Sequence, residues 1–294
     1  MTEDVLANWN GQQMPLSEVR VSVLDRAFLF GDAVYEVARV FNGRLFRMDD
    51  HMERLASSLD KMKIKFDALS DVRKHVNETL ANSGVKEGIV YIQITRGEAP
   101  RKHRFPENAK PNVLIYVDHF SDPIADLRAT GIPVITYPDI RWGRNDIKQT
   151  GLTGNCMAAQ SAFEKGCAEA VLVDRDGVMT EGTHTSIFGV KLGTILSPPE
   201  SNKVLPSVTK KVVLELAHKH GIPVMETWVE TEEIYYLDEM FLAGTTRNVV
   251  SIVKVDDHLI GSGKPGPVFK RLEAAFDKML TDWLAAEAVS AGSV

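Results

Sequence analysis

The chain has 294 residues, 44% of them hydrophobic and 25% charged, with a formal net charge of −6. That length suits about two domains, and the balance is that of a folded globular protein rather than a disordered one. The mild acidity, the lack of a long basic run and the lack of any apolar stretch near the ~20 residues needed to cross a bilayer argue against nucleic acid or a membrane as partner.

The N-terminal stretch MTEDVLANWNG is acidic and does not read as a signal peptide, so a cytoplasmic location is expected. Leu6–Trp9 and Met14 flank Asn10-Gly11, a hairpin signal. Val19–Val23 alternates like a strand, and Asp25 and Arg26 open an aromatic run that reads as a loop folding Phe28 and Phe30 into the core. Ala33–Phe41 and Arg44–Met48 flank Asn42-Gly43 and read as a second hairpin. Asp49–Met62 is expected to be helical, with Met52, Leu55, Leu59 and Met62 on one face. Arg54 lies beside that face, where an arginine is ordinarily a snorkelling surface charge. Ser70–Asn82 reads as a second helix closed by Gly84, and Gly88–Thr95 and Val113–Val117 as apolar strands. Between those strands, residues 95–111 hold basic side chains and a histidine in a loop pinned by Pro100, Pro106 and Pro111. The plain reading is a solvated basic loop; the functional one is an anion trap.

Asp118–Thr130 is mixed in composition and reads as a linker. The expected division is an N-terminal small domain over 1–120, a linker over 121–133 and a C-terminal domain over 134–294. In the second half, strands are expected at Pro133–Tyr137, Ala168–Asp174, Lys191–Leu196, Val224–Thr227 and Met240–Ala243. Helices are expected at Gly154–Lys165, Leu205–His220 and Pro267–Leu284, with a short one at Thr231–Leu237. Val178–Glu181 leads into a polar loop that returns as a strand, and Gly244-Thr245-Thr246 reads as a tight polar turn. Strands and helices mix without regular βαβ alternation, so the fold class is α+β. Cys156 and Cys167 fit neither a zinc site nor a CxxC redox pair, so no metal is expected and both read as reduced thiols.

One lysine stands out. Lys148 follows Arg141, Arg144 and Asp146, with Ile147 before it suggesting a strand end entering a core. The Thr-Gly-Leu-Thr-Gly run after it lets a small ligand come close to the backbone. A lone lysine is most often a solvated charge. A buried one near other cations sheds its proton and becomes a nucleophilic amine suited to Schiff-base chemistry.

Six segments then fall in order: GDAVYEV (31–37), HMERL (51–55), DIK (146–148), EKGCAEAVLVDRDGVMTEGTHTSIFGV (164–190), LPSVTKKVV (205–213) and DEMFLAGTT (238–246). In this order they resemble the class IV, or fold-type IV, aminotransferases, which use pyridoxal 5'-phosphate. The resemblance covers nearly the whole chain. Residues 95–106, TRGEAPRKHRFP, look like the TRG…PRxHxFP loop of the D-amino acid transaminase branch, and DIRW at 139–142 also looks like that branch.

The resemblance implies a smaller N-terminal α/β sandwich domain and a larger C-terminal domain with a β-barrel-like core. It implies transamination between a D-amino acid and a 2-oxo acid, ping-pong through pyridoxamine phosphate. Lys148 would carry the cofactor and move the substrate proton, and Glu181 would keep the pyridine nitrogen protonated. Arg54, the backbone amides of Val208 and Thr209, and Thr245 would hold the phosphate. Tyr35, Arg101 and His103 would face the substrate carboxylate. A homodimer with the trap loop at the interface is implied too. Branched-chain L-amino acid aminotransferase, (R)-amine transaminase and aminodeoxychorismate lyase remain alternatives within the family, and a silent binding protein on the same fold an alternative outside it. The sequence departs from the family after the lysine (Gln149, Thr150) and in the loop after Glu181. His184 in that loop is an extra titratable group, read as bonding a loop carbonyl.

Overall fold

A computed structural model describes residues 4–291, with side chains through residue 286, so the first three residues of the acidic N-terminal stretch lie outside the described residues. The chain divides into two compact units. The first comprises Met1–Ser121 and Ile147–Leu152; the second comprises Asp122–Asp146 and Thr153–Val294.

The first unit holds β1 (Leu6–Trp9), β2 (Gln12–Pro15), α1 (Arg26–Phe30), β3 (Ala33–Phe41), β4 (Arg44–Leu45), α2 (Met48–Lys61), α3 (Leu69–Ser83), β5 (Gly88–Thr95) and β6 (Val113–His119). Its strands form one antiparallel sheet in the order β2-β1-β6-β5-β3-β4. Both two-residue hairpin turns place an Asn-Gly pair at positive φ: 52° and 90° at Asn10-Gly11, 49° and 74° at Asn42-Gly43. Such turns match the twist of the flanking strands, which is why these dipeptides make hairpins. One face of the sheet, with Val34, Ala38, Val40, Ile92 and Ile115, packs on Leu55 and Leu59 of α2 and on Val72 and Val76 of α3.

Three expectations for this unit are corrected. Val19–Val23 forms no strand, and Val21 and Val23 lie exposed. Alternation without a partner strand makes no ladder. The aromatic run is not a buried loop but the helix α1, whose N-cap Asp25 accepts a hydrogen bond from the Ala27 amide. Its geometry turns Phe28 outward, 72% exposed. The second hairpin is also shorter than expected, because α2 begins at Met48.

The second unit holds β7 (Ile132–Pro138), α4 (Thr153–Glu164), β8 (Glu169–Val173), β9 (Val178–Gly182), β10 (Ser186–Lys191), β11 (Thr194–Ser197), α5 (Val208–Lys219), β12 (Val224–Glu226), β13 (Val229–Glu230), α6 (Thr231–Ile234), β14 (Glu239–Gly244), β15 (Asn248–Val255), β16 (His258–Leu259) and α7 (Pro267–Ala291). Ten strands make one mixed sheet, in the order β12-β11-β10-β14-β15-β7-β8-β9-β13 with β16 on β15. Val134, Val171, Met179, Ile187, Leu242 and Val250 fill one core of this unit. Ala158 and Ala162 of α4 meet Ile135, Ala170 and Leu172 in a second one. Phe188 and Phe241 stack at 4.7 Å, with Phe269 of α7 tilted against Phe241. The Glu239 carboxylate accepts from the amides of Val268 and Phe269, so a strand side chain caps α7. β15 is unassigned in the sequence reading although its β-branched run, NVVSIVKV, carries the signal. The α+β class holds, and the long mixed sheet is the β-rich core expected of the larger half.

Candidate active site

Strand period places the first cluster. The face of β3 turned to the helices reads Val34, Glu36, Ala38, Val40, so one carboxylate is set among apolar side chains. It is fully buried. His51 and Arg54 of α2, three residues apart and hence on one helix face, meet it. Arg54 donates Nε to Glu36 Oε1 at 2.7 Å and Nη2 to Oε2 at 2.8 Å, and His51 Nδ1 lies 2.7 Å from Oε2. Burial alone would raise the Glu36 pKa, but Arg54 and then His51 outweigh it and hold it at about 2. Burial lowers the His51 pKa, so the ring is neutral at pH 7 and its Nδ1–H donates to the carboxylate. Arg54 is therefore a buried, oriented cation, not a snorkelling surface charge.

Lys148 sits beside this cluster, in the same unit. The Tyr35 amide donates to the Lys148 carbonyl at 3.0 Å, the Thr150 amide to the Ala33 carbonyl at 3.1 Å, and Val34 bridges Gln149. Residues 147–150 thus add a short edge to β3. Ile147 enters the core of this unit, and the Lys148 amide donates to Ser58 Oγ of α2 at 3.2 Å. Lys148 Nζ stands 4.3 Å from the Tyr35 ring centroid and, among the described residues, enters no ion pair. Tyr35, Tyr91 and Tyr116 stack in succession at 5.8 and 4.9 Å on the sheet face opposite Glu36. Burial pushes the Tyr91 hydroxyl up in pKa. The two arginines that precede Lys148 in sequence belong to the second unit and are neutralised there, Arg144 by Asp146 and Arg141 by Asp139 and Glu181.

In the second unit, Glu181 lies on β9 and is buried, which rules out an exposed turn glutamate. Arg141 Nη1 donates to its Oε1, and the Leu205 amide donates to Oε2 at 3.1 Å. Burial lifts the Glu181 pKa against these donors, while Asp139 and Glu181 overcome burial and hold Arg141 above its ordinary value. The two shifts pull the pair in opposite senses. Geometry decides: both carboxylate oxygens accept from fixed donors, so the ionised pair is the state the site is built around.

The loop after Glu181 is cinched around Glu169, whose buried carboxylate accepts from the Thr183 amide at 3.0 Å and from the hydroxyls of Thr183 and Thr185. A Cβ at Gly182 would fall 2.2 Å from Thr185 Oγ1, so only glycine permits this closure. His184 is half-exposed, with Nδ1 2.9 Å from Thr183 Oγ1 and 3.4 Å from Glu169. It engages a hydroxyl and a carboxylate, not the loop carbonyl expected of it. The neighbouring turn carries Thr245, half-buried after β14, whose Ala243 pairs with Ser186. Val208 and Thr209 open α5, where Ser207 caps the Lys210 amide, and both are buried at that helix start.

Arg101 and His103 lie exposed on the 95–111 loop of the first unit, each against the Phe30 ring, at 5.4 and 5.8 Å. Lys148, Tyr35, Arg54, Arg101 and His103 therefore belong to the first unit, and Glu181, Val208, Thr209 and Thr245 to the second. Sequence reasoning passed over Glu36 and His51 and set Arg141 beside Lys148 rather than Glu181, although each lies inside a segment it had singled out. The signal was present: Glu36 breaks an apolar face of β3, and His51 precedes Arg54 by one helical turn.

The donor types fit pyridoxal phosphate. Among the described residues, Lys148 presents an amine with no acid bound to it, the group that an aldehyde takes up. Arg54 and the first turn of α5 are anion-binding groups. Glu181 is a buried carboxylate, the residue type that keeps a pyridine nitrogen protonated.

Comparison with known proteins identifies the family. Residues 33–255 match the family model for amino-transferase class IV. The chain is 35% identical over 273 residues to a D-alanine aminotransferase of Bacillus licheniformis, covering 92% of this chain and 96% of that one. It is 34% identical to a D-alanine aminotransferase of Staphylococcus haemolyticus over the same shares. Among solved structures, a branched-chain amino acid aminotransferase of Escherichia coli superposes with a TM-score of 0.87 at 22% identity, covering 94% of each chain. The T.th. branched-chain amino acid aminotransferase with pyridoxamine 5'-phosphate superposes with a TM-score of 0.86 at 23% identity, over 95% of this chain and 94% of that one. At those identities the superpositions establish the shared fold. The family model and the curated relatives carry the further step: the chain belongs to the class IV aminotransferases, enzymes that depend on pyridoxal 5'-phosphate.

Proposed function

We propose that this enzyme transfers the amino group of a D-amino acid, D-alanine or D-glutamate, to a 2-oxo acid such as 2-oxoglutarate or pyruvate. The observation that carries this reading is the 95–111 loop, which sets a guanidinium and an imidazole against one aromatic ring, in a chain 35% identical to a D-alanine aminotransferase. Such a pair recognises a carboxylate.

When bound, pyridoxal phosphate supplies the aldehyde and the electron sink on which the amino group is exchanged. The chain's residues do the rest. Lys148 Nζ would hold the cofactor at rest and, as the amine set free when the substrate takes its place, would accept the proton from the substrate Cα. Ser58 and β3 fix the Lys148 backbone, so its side chain swings from an anchored point. The Tyr35 ring gives the amine an aromatic surface in place of a counter-ion. Arg54, oriented by Glu36, binds the phosphate, joined by the amides of Val208 and Thr209 and by Thr245. Glu181, oriented by Arg141 and the Leu205 amide, is the carboxylate that would pair with a protonated ring nitrogen. Tyr35, Arg101 and His103 receive the substrate carboxylate.

A homodimer in the cytoplasm completes the proposal. It is supported by the exposed apolar side chains of the first unit, Val21, Val23, Leu24, Phe28 and Phe105. A monomeric mass by light scattering would contradict it. Among the described residues no helix is long and apolar enough to cross a membrane.

The carboxylate assignment is tested by Arg101→Ala. A charge-assisted contact is worth roughly 1.5–3 kcal/mol, so KM for D-alanine should rise about 10- to 100-fold with a smaller change in kcat. Unchanged kinetics would remove Arg101 from the site and favour an amine substrate without a carboxylate.

A further inference from the structure

Beneath the 95–111 loop lies a buried charge cluster to which the mechanism above gives no role. Asp32 Oδ2 accepts from Arg26 Nε at 2.7 Å and from Arg96 Nε at 2.8 Å, and all three side chains are buried. Asp32 Oδ1 is also buried and, among the described residues, has no hydrogen-bond partner. Two buried guanidiniums on one carboxylate are costly to desolvate, and nothing in packing alone calls for them. Their remaining donors show what they hold. Arg96 donates to the carbonyls of Met62 and Lys63, just past α2. Arg26 donates Nη1 to the Lys102 carbonyl at 2.7 Å and Nη2 to the His103 carbonyl at 3.5 Å. Those carbonyls belong to the residue between Arg101 and His103 and to His103 itself.

A second contact leads to the same two residues. The Phe30 ring, four residues after Arg26 and at the other end of α1, is 4.7 Å from the Arg26 guanidinium. It also packs on the Arg101 guanidinium and, edge to face, on the His103 ring. From the other side, Phe105 covers the Arg96 guanidinium at 3.7 Å. The Arg26 amide donates to the Gly97 carbonyl and the Ala99 amide to the Leu24 carbonyl, so the loop is also laced to α1 through its main chain.

We propose that Arg26 and Phe30 are positioning residues for the substrate carboxylate, acting through Arg101 and His103. This rests on the carboxylate reading of the loop proposed above. A long surface loop that had to order itself around each substrate would lose binding energy to entropy, and pre-organising its backbone removes that cost. Only arginine can serve at position 26, because one planar fork must reach Asp32 and two carbonyls together.

The test uses the cofactor-loaded enzyme and its Arg26→Gln, Phe30→Leu and Arg101→Ala variants. Two quantities are measured for each: the dissociation constant for propionate, a carboxylate without an amine, by calorimetry, and the single-turnover rate constants with D-alanine and with D-alaninol, which lacks the carboxylate. In Arg26→Gln and Phe30→Leu, propionate affinity and the D-alanine second-order constant should each fall by roughly tenfold or more, while the D-alaninol rate stays within about twofold. Phe30→Leu keeps an apolar side chain at a half-buried site, so it preserves the test if Arg26→Gln does not fold. Equal losses with both donors would reduce Arg26 and Phe30 to a structural role and overturn the proposal. Selective loss in Arg101→Ala but not in the α1 variants would overturn it while leaving the carboxylate reading intact. No selectivity even in Arg101→Ala would remove that reading and this proposal with it.

Discussion

Lys148→Ala is expected to purify as a folded protein without the visible Schiff-base band, and to lose turnover by more than roughly 10⁴-fold. The argument rests on which atoms of this residue hold the fold. The contacts that fasten residues 147–150 to the first unit are made by the main chain: the Lys148 carbonyl to the Tyr35 amide, the Lys148 amide to Ser58, and the bridge of Gln149 to Val34. Ile147 supplies the apolar anchor. Alanine keeps all of these. What it removes is the amine set over the Tyr35 ring. Unchanged circular dichroism with lost turnover would assign the loss to chemistry; full turnover would end the aminotransferase mechanism proposed here.

The second large effect is on stability. Glu36→Ala leaves the Arg54 guanidinium buried without its carboxylate, and breaking a buried pair from one side typically costs about 3–5 kcal/mol. The measurement is the shift in denaturation midpoint of the cofactor-free protein, which removes any effect of phosphate binding. A loss below about 1 kcal/mol would show that the cluster is relaxed rather than interlocked. The same cluster sets a pH dependence. Glu36 is held at about 2 in the folded state against an ordinary 4.5, so its contribution is complete above pH 4.5 and is lost as pH falls toward 2. His51 acts in the same sense from higher pH. Its pKa is lowered from 6.5, so the unfolded chain takes up its proton first and stability begins to fall below pH 6.5. Acidification should therefore destabilise the wild type across this range, and Glu36→Ala should lose the share of the dependence below pH 4.5 that Glu36 supplies, leaving that of carboxylates such as Asp139.

Hairpins and helices were legible because their signals are local. Asn10-Gly11 and Asn42-Gly43 adopt the positive φ values that make their turns. The apolar spacing of α2 and the Pro206-Ser207 entry of α5 need no distant partner. Val19–Val23 failed for the opposite reason, since a strand exists only where another offers a ladder. The site divides the same way. Lys148, Glu181 and Arg54 were singled out through segment resemblance, and Ile147 marked the stretch before the lysine as entering the core. Their orienting partners were not found, because pairing is set by tertiary structure: Glu36 and Arg54 are 18 positions apart, and Arg141 and Glu181 are 40 apart. Arg141 and Arg144 misled for that reason. Sequence neighbours of Lys148, they are neutralised by carboxylates in the other unit. The loop of residues 95–111 was legible as a basic loop pinned by prolines, but the α1 residues beneath it were not, because Arg26 reaches carbonyls 76 and 77 positions away.

The most direct test of D-amino acid transamination is the visible absorption spectrum of the cofactor-loaded enzyme, recorded after adding D-alanine and, separately, L-leucine. The proposed function predicts a Schiff-base band that bleaches with D-alanine and persists with L-leucine. A band that bleaches only with L-leucine would contradict it, keeping the family but leaving Arg101 and His103 without the role proposed for them.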